Sequence, residues 1–419
     1  MGDFIEFLYS RFLLSDGVSI DTRTIEKGNL FFAISGPNFN ANKFAEEALA
    51  KGASYVVVDD KAFCTDDRII YAEDCLKSLQ NLAVFHRDRF KRPVLGITGS
   101  NGKTTTKELI TRVLSKKYTV HATKGNYNNH IGVPLTLLHI HPQVEIAVIE
   151  MGANHVGEIA MLCEMAKPTH GLITNIGHAH TEGFGGFEGV IRGKSELFDY
   201  LRKSNGQVLI NTDDEVLSNM AKRFQNPGIF PSKDLDLTET APTLEISLGG
   251  KTKSTQLIGK YNFSNIAAAV CVGRVFDVTD DEILESIASY VPDNSRSQVI
   301  NKNGVTIILD AYNANPDSMK AALENLAEYG VETIAVLGDM NELDNPDDAH
   351  HELLAIAKEL GISDIYTIGD KIGKVSKANH FASKEALVKA LKATKLKGKT
   401  VLLKASRSIK LETIANEIA

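Results

Sequence analysis

Short apolar runs alternate with stretches whose apolar positions recur every three or four residues, from one end of the 419-residue chain to the other. That alternation predicts α/β architecture. No segment repeats at a fixed period, and no tract is of low complexity. Three blocks separate. In the first, 1–91, strands are expected over 18–21, 30–34 and 55–58, with helices over 42–50 and 74–90. Lys91-Arg92-Pro93 closes it, because proline cannot continue a helix. The second, 92–294, opens with a strand over 94–98. Further strands are expected over 146–150, 171–175 and 208–211, each followed by a helix. The turn-rich Asp293-Asn294-Ser295 leads into the third, 295–419. There strands over 305–310, 333–337, 365–368 and 401–404 alternate with helices, as in a small doubly wound unit.

Composition then removes whole classes of function. Hydrophobic residues make up 43 % and charged residues 24 %, as in ordinary globular proteins, which excludes wholesale disorder. The net charge of −7 argues against nucleic acid or a membrane surface as partner, since both need a basic face. No apolar run approaches the roughly 20 residues that span a bilayer. Cys64, Cys75, Cys163 and Cys271 are scattered without a CxxC pair, which is neither a disulfide framework nor a zinc site. Asp3 and Glu6 precede any basic residue, the wrong order for a secretory leader. A soluble, cytoplasmic protein is the expectation. The charge also poses a question: a phosphorylated ligand would need local positive charge against the global sign.

One segment answers it in part. Gly96-Ile97-Thr98-Gly99-Ser100-Asn101-Gly102-Lys103-Thr104-Thr105-Thr106 runs from a β-branched strand through a glycine-rich turn into a helix. Glycines let backbone N–H groups turn inward, a helix N-terminus adds partial positive charge, and the Lys103 ammonium can reach β- and γ-phosphates. The hydroxyl of Thr104 is placed for Mg2+. The generic Walker pattern wants glycine at position 97, where this chain has Ile97; its glycines fall at 96, 99 and 102. Further on, Glu150 ends an apolar strand, which points a carboxylate into the crevice where α/β proteins bind ligands. Mg2+ takes one or two such carboxylates together with phosphate oxygens.

This loop, with glycines spaced by three, resembles that of the Mur ligase superfamily and its folylpolyglutamate synthase relatives. Other segments extend the resemblance: 125–134 (GNYNNHIGVP), 150–154 (EMGAN), 180–185 (HTEGFG), 310–316 (DAYNANP), 336–340 (VLGDM) and 404–408 (KASRS). Together they match the members that add a dipeptide. The resemblance implies three α/β domains: a small N-terminal domain over 1–91, a central P-loop-type ATPase domain over 92–294 and a C-terminal Rossmann-like domain over 295–419. These would bind the UDP-linked substrate, hold ATP, and carry the dipeptide while closing over the nucleotide. The implied reaction activates the carboxylate of UDP-MurNAc-tripeptide as an acyl phosphate. The amine of D-alanyl-D-alanine then attacks, in the last cytoplasmic step of peptidoglycan-precursor synthesis. ATP and two Mg2+ ions are the implied cofactors, and a monomer is expected. The alternatives are a third-residue-adding Mur ligase, a folylpolyglutamate synthase, or a non-catalytic nucleotide-binding protein on the same fold.

The resemblance also assigns residues. Gly99, Ser100, Asn101, Gly102, Lys103, Thr104 and Thr105 would cradle the phosphates. Thr104 and Glu150 would hold Mg2+, and His180 would approach a second ion, although imidazole is an unusual Mg2+ ligand and hydrogen bonding suits it better chemically. Lys194, in a segment resembling AKGEIF, would be N-carbamylated and act as a carboxylate-like ligand; this requires a neutral amine. Asn128 and Asn129 would contact the γ-phosphate or acyl phosphate with uncharged amides. Asn265, in a segment resembling GxHNxxN with Tyr261 in the histidine's place, would meet adenine. Arg296 matches a hinge arginine, and Asp310 is a candidate for the ribose hydroxyls. Asn313 and Asn315 would line phosphates or dipeptide, with Asn315-Pro316 also an ordinary helix start. Lys404 and Arg407 would bind the dipeptide carboxylate or the acyl phosphate. Asp21, Thr22 and Arg23 resemble a DSR segment that meets the uridine nucleotide, while 39–44 departs from the family's DGHDF. His178 has no assigned role, His139 and His141 lack a third ligand, and His350-His351-Glu352 is expected to start a solvated helix.

Overall fold

The computed structural model describes residues 2–330, 332–376 and 379–418. It contains four sheets. In the first, Val18–Ser19, Leu30–Phe32, Tyr55–Val58 and Ile69–Tyr71 pair in sequence order, all parallel. The strands Leu30–Phe32 and Val56 to Val58 are buried without alternation, as parallel strands covered on both faces must be. The helix Gly2–Leu13 packs its Ile5, Leu8 and Phe12 stripe inward. Its spacing is that of an amphipathic helix.

The central sheet is fully parallel. Val94–Thr98 lies between His170–Ile173 and Ile146–Glu150, with Gln207–Asn211, Gly228–Phe230 and Val120–Ala122 outside them. The strand that feeds the glycine-rich loop is therefore flanked by the strand that ends at Glu150. The two ends lie side by side, because Ile97 is in register with Glu150. A three-stranded antiparallel sheet, Leu235–Glu239, Glu245–Leu248 and Lys251–Ser254, sits to one side. Its tighter turn is Gly249-Gly250, both with positive φ, as a two-residue hairpin requires.

The last sheet places Val305–Leu309, Thr400–Lys404, Thr333–Gly338 and Asp364–Ile368 in parallel, with His380–Phe381 at one edge. The other edge strand, Gln298–Lys302, is antiparallel and was not expected from the sequence. Expected strand and helix ends moved by one to three residues: the helix placed over 74–90 is Cys75–Arg87, capped by the Asp74 carboxylate.

The first and central sheets share a continuous core. Leu79 and Leu82 of Cys75–Arg87 are fully buried in the same cluster as Val133, Leu137 and Leu162, each such leucine contributing about 1.5–3 kcal/mol by burial. Arg87 fastens this contact. Its Nε donates to the Ala166 carbonyl, Nη2 to that of Lys167 and Nη1 to that of Phe90, each at 2.6 Å. Replacing it with alanine leaves those carbonyls unpaired in a buried seam. Arg87→Ala is expected to lose about 2–4 kcal/mol of stability in urea denaturation. A loss below about 0.5 kcal/mol would show that the seam stands without it.

Candidate active site

The strand Val94–Thr98 and helix Lys103–Leu114 are joined by a loop whose glycines are structurally required. Gly99 has φ +144° and a Cβ there would lie 2.0 Å from Thr174 Oγ1. Gly102 has φ +78° and a Cβ would lie 2.3 Å from Asn265 Oδ1. Neighbouring strand ends brace the loop. Asn101 N donates to Asn175 Oδ1 at 2.9 Å, and Ser100 Oγ donates to the Gly177 carbonyl at 3.0 Å. The Lys103 ammonium folds back on the loop carbonyls of Gly99 and Ser100, at 2.7 and 3.0 Å. Burial pushes its pKa down to about 8, with Glu150 opposing and Arg296 reinforcing the shift.

Glu150 is 1 % exposed. Its Oε1 accepts from Asn128 Nδ2 at 2.8 Å and from Thr104 Oγ1 at 3.2 Å. Its Oε2 is buried with no hydrogen-bond partner. A buried, bare carboxylate oxygen beside a phosphate loop and a threonine hydroxyl fits a hard divalent cation, which prefers such oxygen donors. Among the described residues no three His, Cys, Asp or Glu side chains converge as a metal cage.

These groups open on a crevice of about 640 Å3 whose other wall comes from the last sheet: Arg296, Asp310, Tyr312, Asn313, Asn315 and Lys404. Thr105, Asn129, His180 and Asn265 line it as well. The Arg296 guanidinium stacks 3.6 Å from the Tyr312 ring centroid, and its Nε has no partner. Lys404 and Asp310, given separate roles from sequence, form one ion pair at 2.5 Å, and Lys404 also donates to the Asn313 carbonyl. Asn315 caps Pro316–Ala327 and donates to Asn101 Oδ1 at 2.8 Å, so it joins the two walls. Asn129 Oδ1 accepts from the backbone N–H groups of Ile131 and Gly132. Asn265 accepts from Thr106 Oγ1 and donates to Asn262 Oδ1. The first of these bonds braces the phosphate-loop helix, and one N–H and one oxygen lone pair of the amide remain free.

Three other candidates sit differently from the sequence reading. Lys194 does not open a helix; it lies inside Phe187–Lys203, 1 % exposed, donating to the Ala153 carbonyl at 3.1 Å. Desolvation, reinforced by Lys103, lowers its pKa well below the usual range, which favours the neutral amine. His180 adopts φ +57° and pairs through Nδ1 with the Glu342 carboxylate of the opposite wall. His350 is fully buried, accepting from Met340 N–H at 2.9 Å, whereas His351 and Glu352 are exposed, so the expected solvated stretch is corrected at His350 alone. The helix Pro346–Glu359 begins four residues earlier, and His350 Nδ1–H donates to the Pro346 carbonyl at 2.5 Å.

Asp21, Thr22 and Arg23 are not part of this crevice. Arg23 pairs with Asp21 at 2.6 Å and holds its carboxyl down at about 2. Arg407 stands at its edge, 5.5 Å from the centroid of the lining Tyr312 ring and paired with Glu412 at 3.0 Å. Sequence reading missed Lys107, Glu342 and Asp317. Asp317 accepts from the His178 backbone N–H at 2.6 Å across the two walls. Lys107 had a signal: it lies four residues after Lys103 on the same helix face.

Comparison with known proteins agrees with this geometry. Family models match residues 15–87 (Mur ligase family, catalytic domain), 97–273 (Mur ligase middle domain) and 295–407 (Mur ligase, glutamate ligase domain). A UDP-N-acetylmuramoyl-tripeptide–D-alanyl-D-alanine ligase of Bacillus subtilis is 35 % identical, covering 96 % of this chain and 93 % of its own. The structure of MurF ligase from Thermotoga maritima in complex with ADP superposes with a TM-score of 0.84 at 30 % identity, covering 97 % of both chains. MurF from Acinetobacter baumannii gives 0.85 at 27 % identity, covering 96 % and 92 %. The phosphate loop and its carboxylate thus stand in an ATP-dependent, ADP-forming amide ligase. Within that class, the chain belongs to the Mur ligase family and to its D-alanyl-D-alanine-adding branch.

Two outcomes follow for nucleotide binding. Gly102→Ala forces a Cβ onto Asn265 in a backbone region that L residues avoid, and KM for ATP should rise at least about tenfold. Lys103 would bind phosphate as the ammonium, so ATP affinity should be full below about pH 8 and fall as pH rises above it. Lys103→Arg should remove that fall. A pH-independent KM for ATP between 7 and 9.5 would contradict the assignment.

Proposed function

We propose that this chain joins D-alanyl-D-alanine to UDP-MurNAc-tripeptide at the expense of ATP, releasing ADP and phosphate, in the cytoplasm and as a monomer. The observation that carries the reading is Glu150, its Oε2 bare and buried, beside the phosphate loop in a crevice whose far wall presents the Arg296 guanidinium and the Lys404–Asp310 ion pair. The relatives' shared name supplies the substrates. Residues 1–91 would take the UDP-linked substrate, with Asp21, Thr22 and Arg23 toward the uridine nucleotide. Residues 92–294 would hold ATP, and 295–419 the dipeptide.

In this mechanism the backbone N–H groups of 99–104 and the Lys103 ammonium bind the β- and γ-phosphates. Thr104 and Glu150 would hold Mg2+, which supplies charge neutralisation for phosphoryl transfer when bound. Asn128, Asn129 and Arg296 orient the reacting carboxylate and the phosphoryl oxygens without a proton transfer. The carboxylate oxygen attacks the γ-phosphorus and ADP leaves. The dipeptide amine then attacks the acyl carbon, and phosphate leaves as the amide forms. Lys404 and Arg407 would bind the dipeptide carboxylate, Arg by a bidentate contact. Asp310, held by Lys404, would accept from the ribose hydroxyls. Lys194, neutral and buried, would carry a carbamate, with His180 as its hydrogen-bonding neighbour at a second cation.

The test is one assay with ATP, Mg2+ and UDP-MurNAc-tripeptide, with and without D-alanyl-D-alanine, read by phosphate release and product mass. Phosphate and the mass of the joined pentapeptide product should appear together, and both should require the dipeptide. Phosphate release that ignores the dipeptide rejects the reading. Lys194→Ala should lower kcat at least about 100-fold; full activity of that variant would remove its role.

A further inference from the structure

Lys107 lies one helical turn beyond Lys103 on Lys103–Leu114, past the end of the phosphate-loop pattern. It is 3 % exposed. Its Nζ donates to the Thr123 carbonyl at 2.7 Å and to that of Gly125 at 3.3 Å. Its third neighbour is Glu150, with Nζ 3.9 Å from Oε2. That separation is a charge contact and not a hydrogen bond. The bare oxygen of the buried carboxylate therefore faces a buried ammonium that two carbonyls hold in place.

A carboxylate this deep needs a compensating charge. Lys107 gives it one before any cation arrives. It also fixes the geometry around that carboxylate. From Thr123 and Gly125 the chain runs to Asn128, whose Nδ2 donates to Oε1, and Thr123 Oγ1 accepts from the Glu150 backbone N–H at 3.0 Å. A divalent cation taking Oε2 must therefore settle within a few ångströms of a fixed positive charge. Like charges at that range repel strongly in a low-dielectric pocket. Nucleotide phosphates bring several negative charges to the same place and offset the repulsion.

We propose that Lys107 is a positioning residue for Glu150 whose charge weakens the metal's hold when nucleotide is absent, so that the cation enters as its nucleotide complex. The inference rests on reading Glu150 as a metal ligand. It assigns the residue a role in which the charge and the anchoring have opposite effects on metal affinity.

Mn2+ titration of the full chain without nucleotide, followed by electron paramagnetic resonance, separates them. Lys107→Met should bind Mn2+ about tenfold more tightly than the natural protein. Lys107→Gln, which keeps an N–H donor for the Thr123 carbonyl, should do the same and covers a folding failure of the first variant. Lys107→Arg should match the natural protein. With ADP present, the gap should shrink to less than about threefold. Affinity that is unchanged or weaker in both neutral variants overturns the proposal, because loss of anchoring alone can only loosen the site. Glu150→Gln should weaken Mn2+ binding. If it binds Mn2+ as the natural protein does, the metal reading falls and the inference falls with it. If only the Lys107 variants misbehave, the metal reading survives.

Discussion

A carboxylate buried to 1 % exposure with one oxygen paired and the other bare is the constraint around which this molecule is arranged. Left alone, such a group is costly to bury. Every nearby element reduces that cost in its own way. The strand Ile146–Glu150 delivers it, the phosphate-loop helix brings Thr104 and Lys107, and the segment 123–129 brings Asn128. The parallel register of Ile97 with Glu150 makes this meeting a consequence of sheet order. A one-residue slip would turn the carboxylate to the other face of the sheet.

The same logic explains how a chain of net charge −7 meets a polyanionic nucleotide. Positive potential is local: backbone N–H groups of the loop, Lys103, and the opposite wall's Arg296, while Lys107 and Lys404 offset Glu150 and Asp310. Net charge describes solubility and the field far from the surface, whereas these groups act within a crevice that screens them poorly. The second and third units are tied by polar contacts that include Asn101 to Asn315, His178 N–H to Asp317, His180 to Glu342, Tyr261 to Ser297 and Tyr329 to the Pro242 carbonyl, and Ile258 of the second is buried in the third unit's core. The first unit is fastened to the second by a shared apolar core and Arg87.

Much of this was legible in the sequence. The strand–turn–helix around Gly99 to Lys103 is set by local backbone chemistry, and strands such as Tyr55–Val58 and Ile146–Glu150 were read to the residue. What was missed depends on partners distant in sequence. Lys107 shares a helix face with Lys103, but its charge partner Glu150, 43 positions on, is visible only in the fold. The partner of His180 is Glu342, in another unit, and no spacing rule links them. His350 reads as a solvated side chain until Met340 N–H is found aimed at it. Two omissions had local signals: the Gly249-Gly250 hairpin turn, and the Ile5, Leu8, Phe12 stripe of the first helix.

The central claim is that Glu150 Oε2 is the cation's place. Anomalous diffraction from crystals grown with Mn2+ and ADP tests it most directly. The account predicts a manganese peak about 2.0–2.4 Å from both Glu150 Oε2 and Thr104 Oγ1, with a β-phosphate oxygen on the same ion. A manganese ion bound to the nucleotide while Glu150 Oε2 stays unengaged would contradict it.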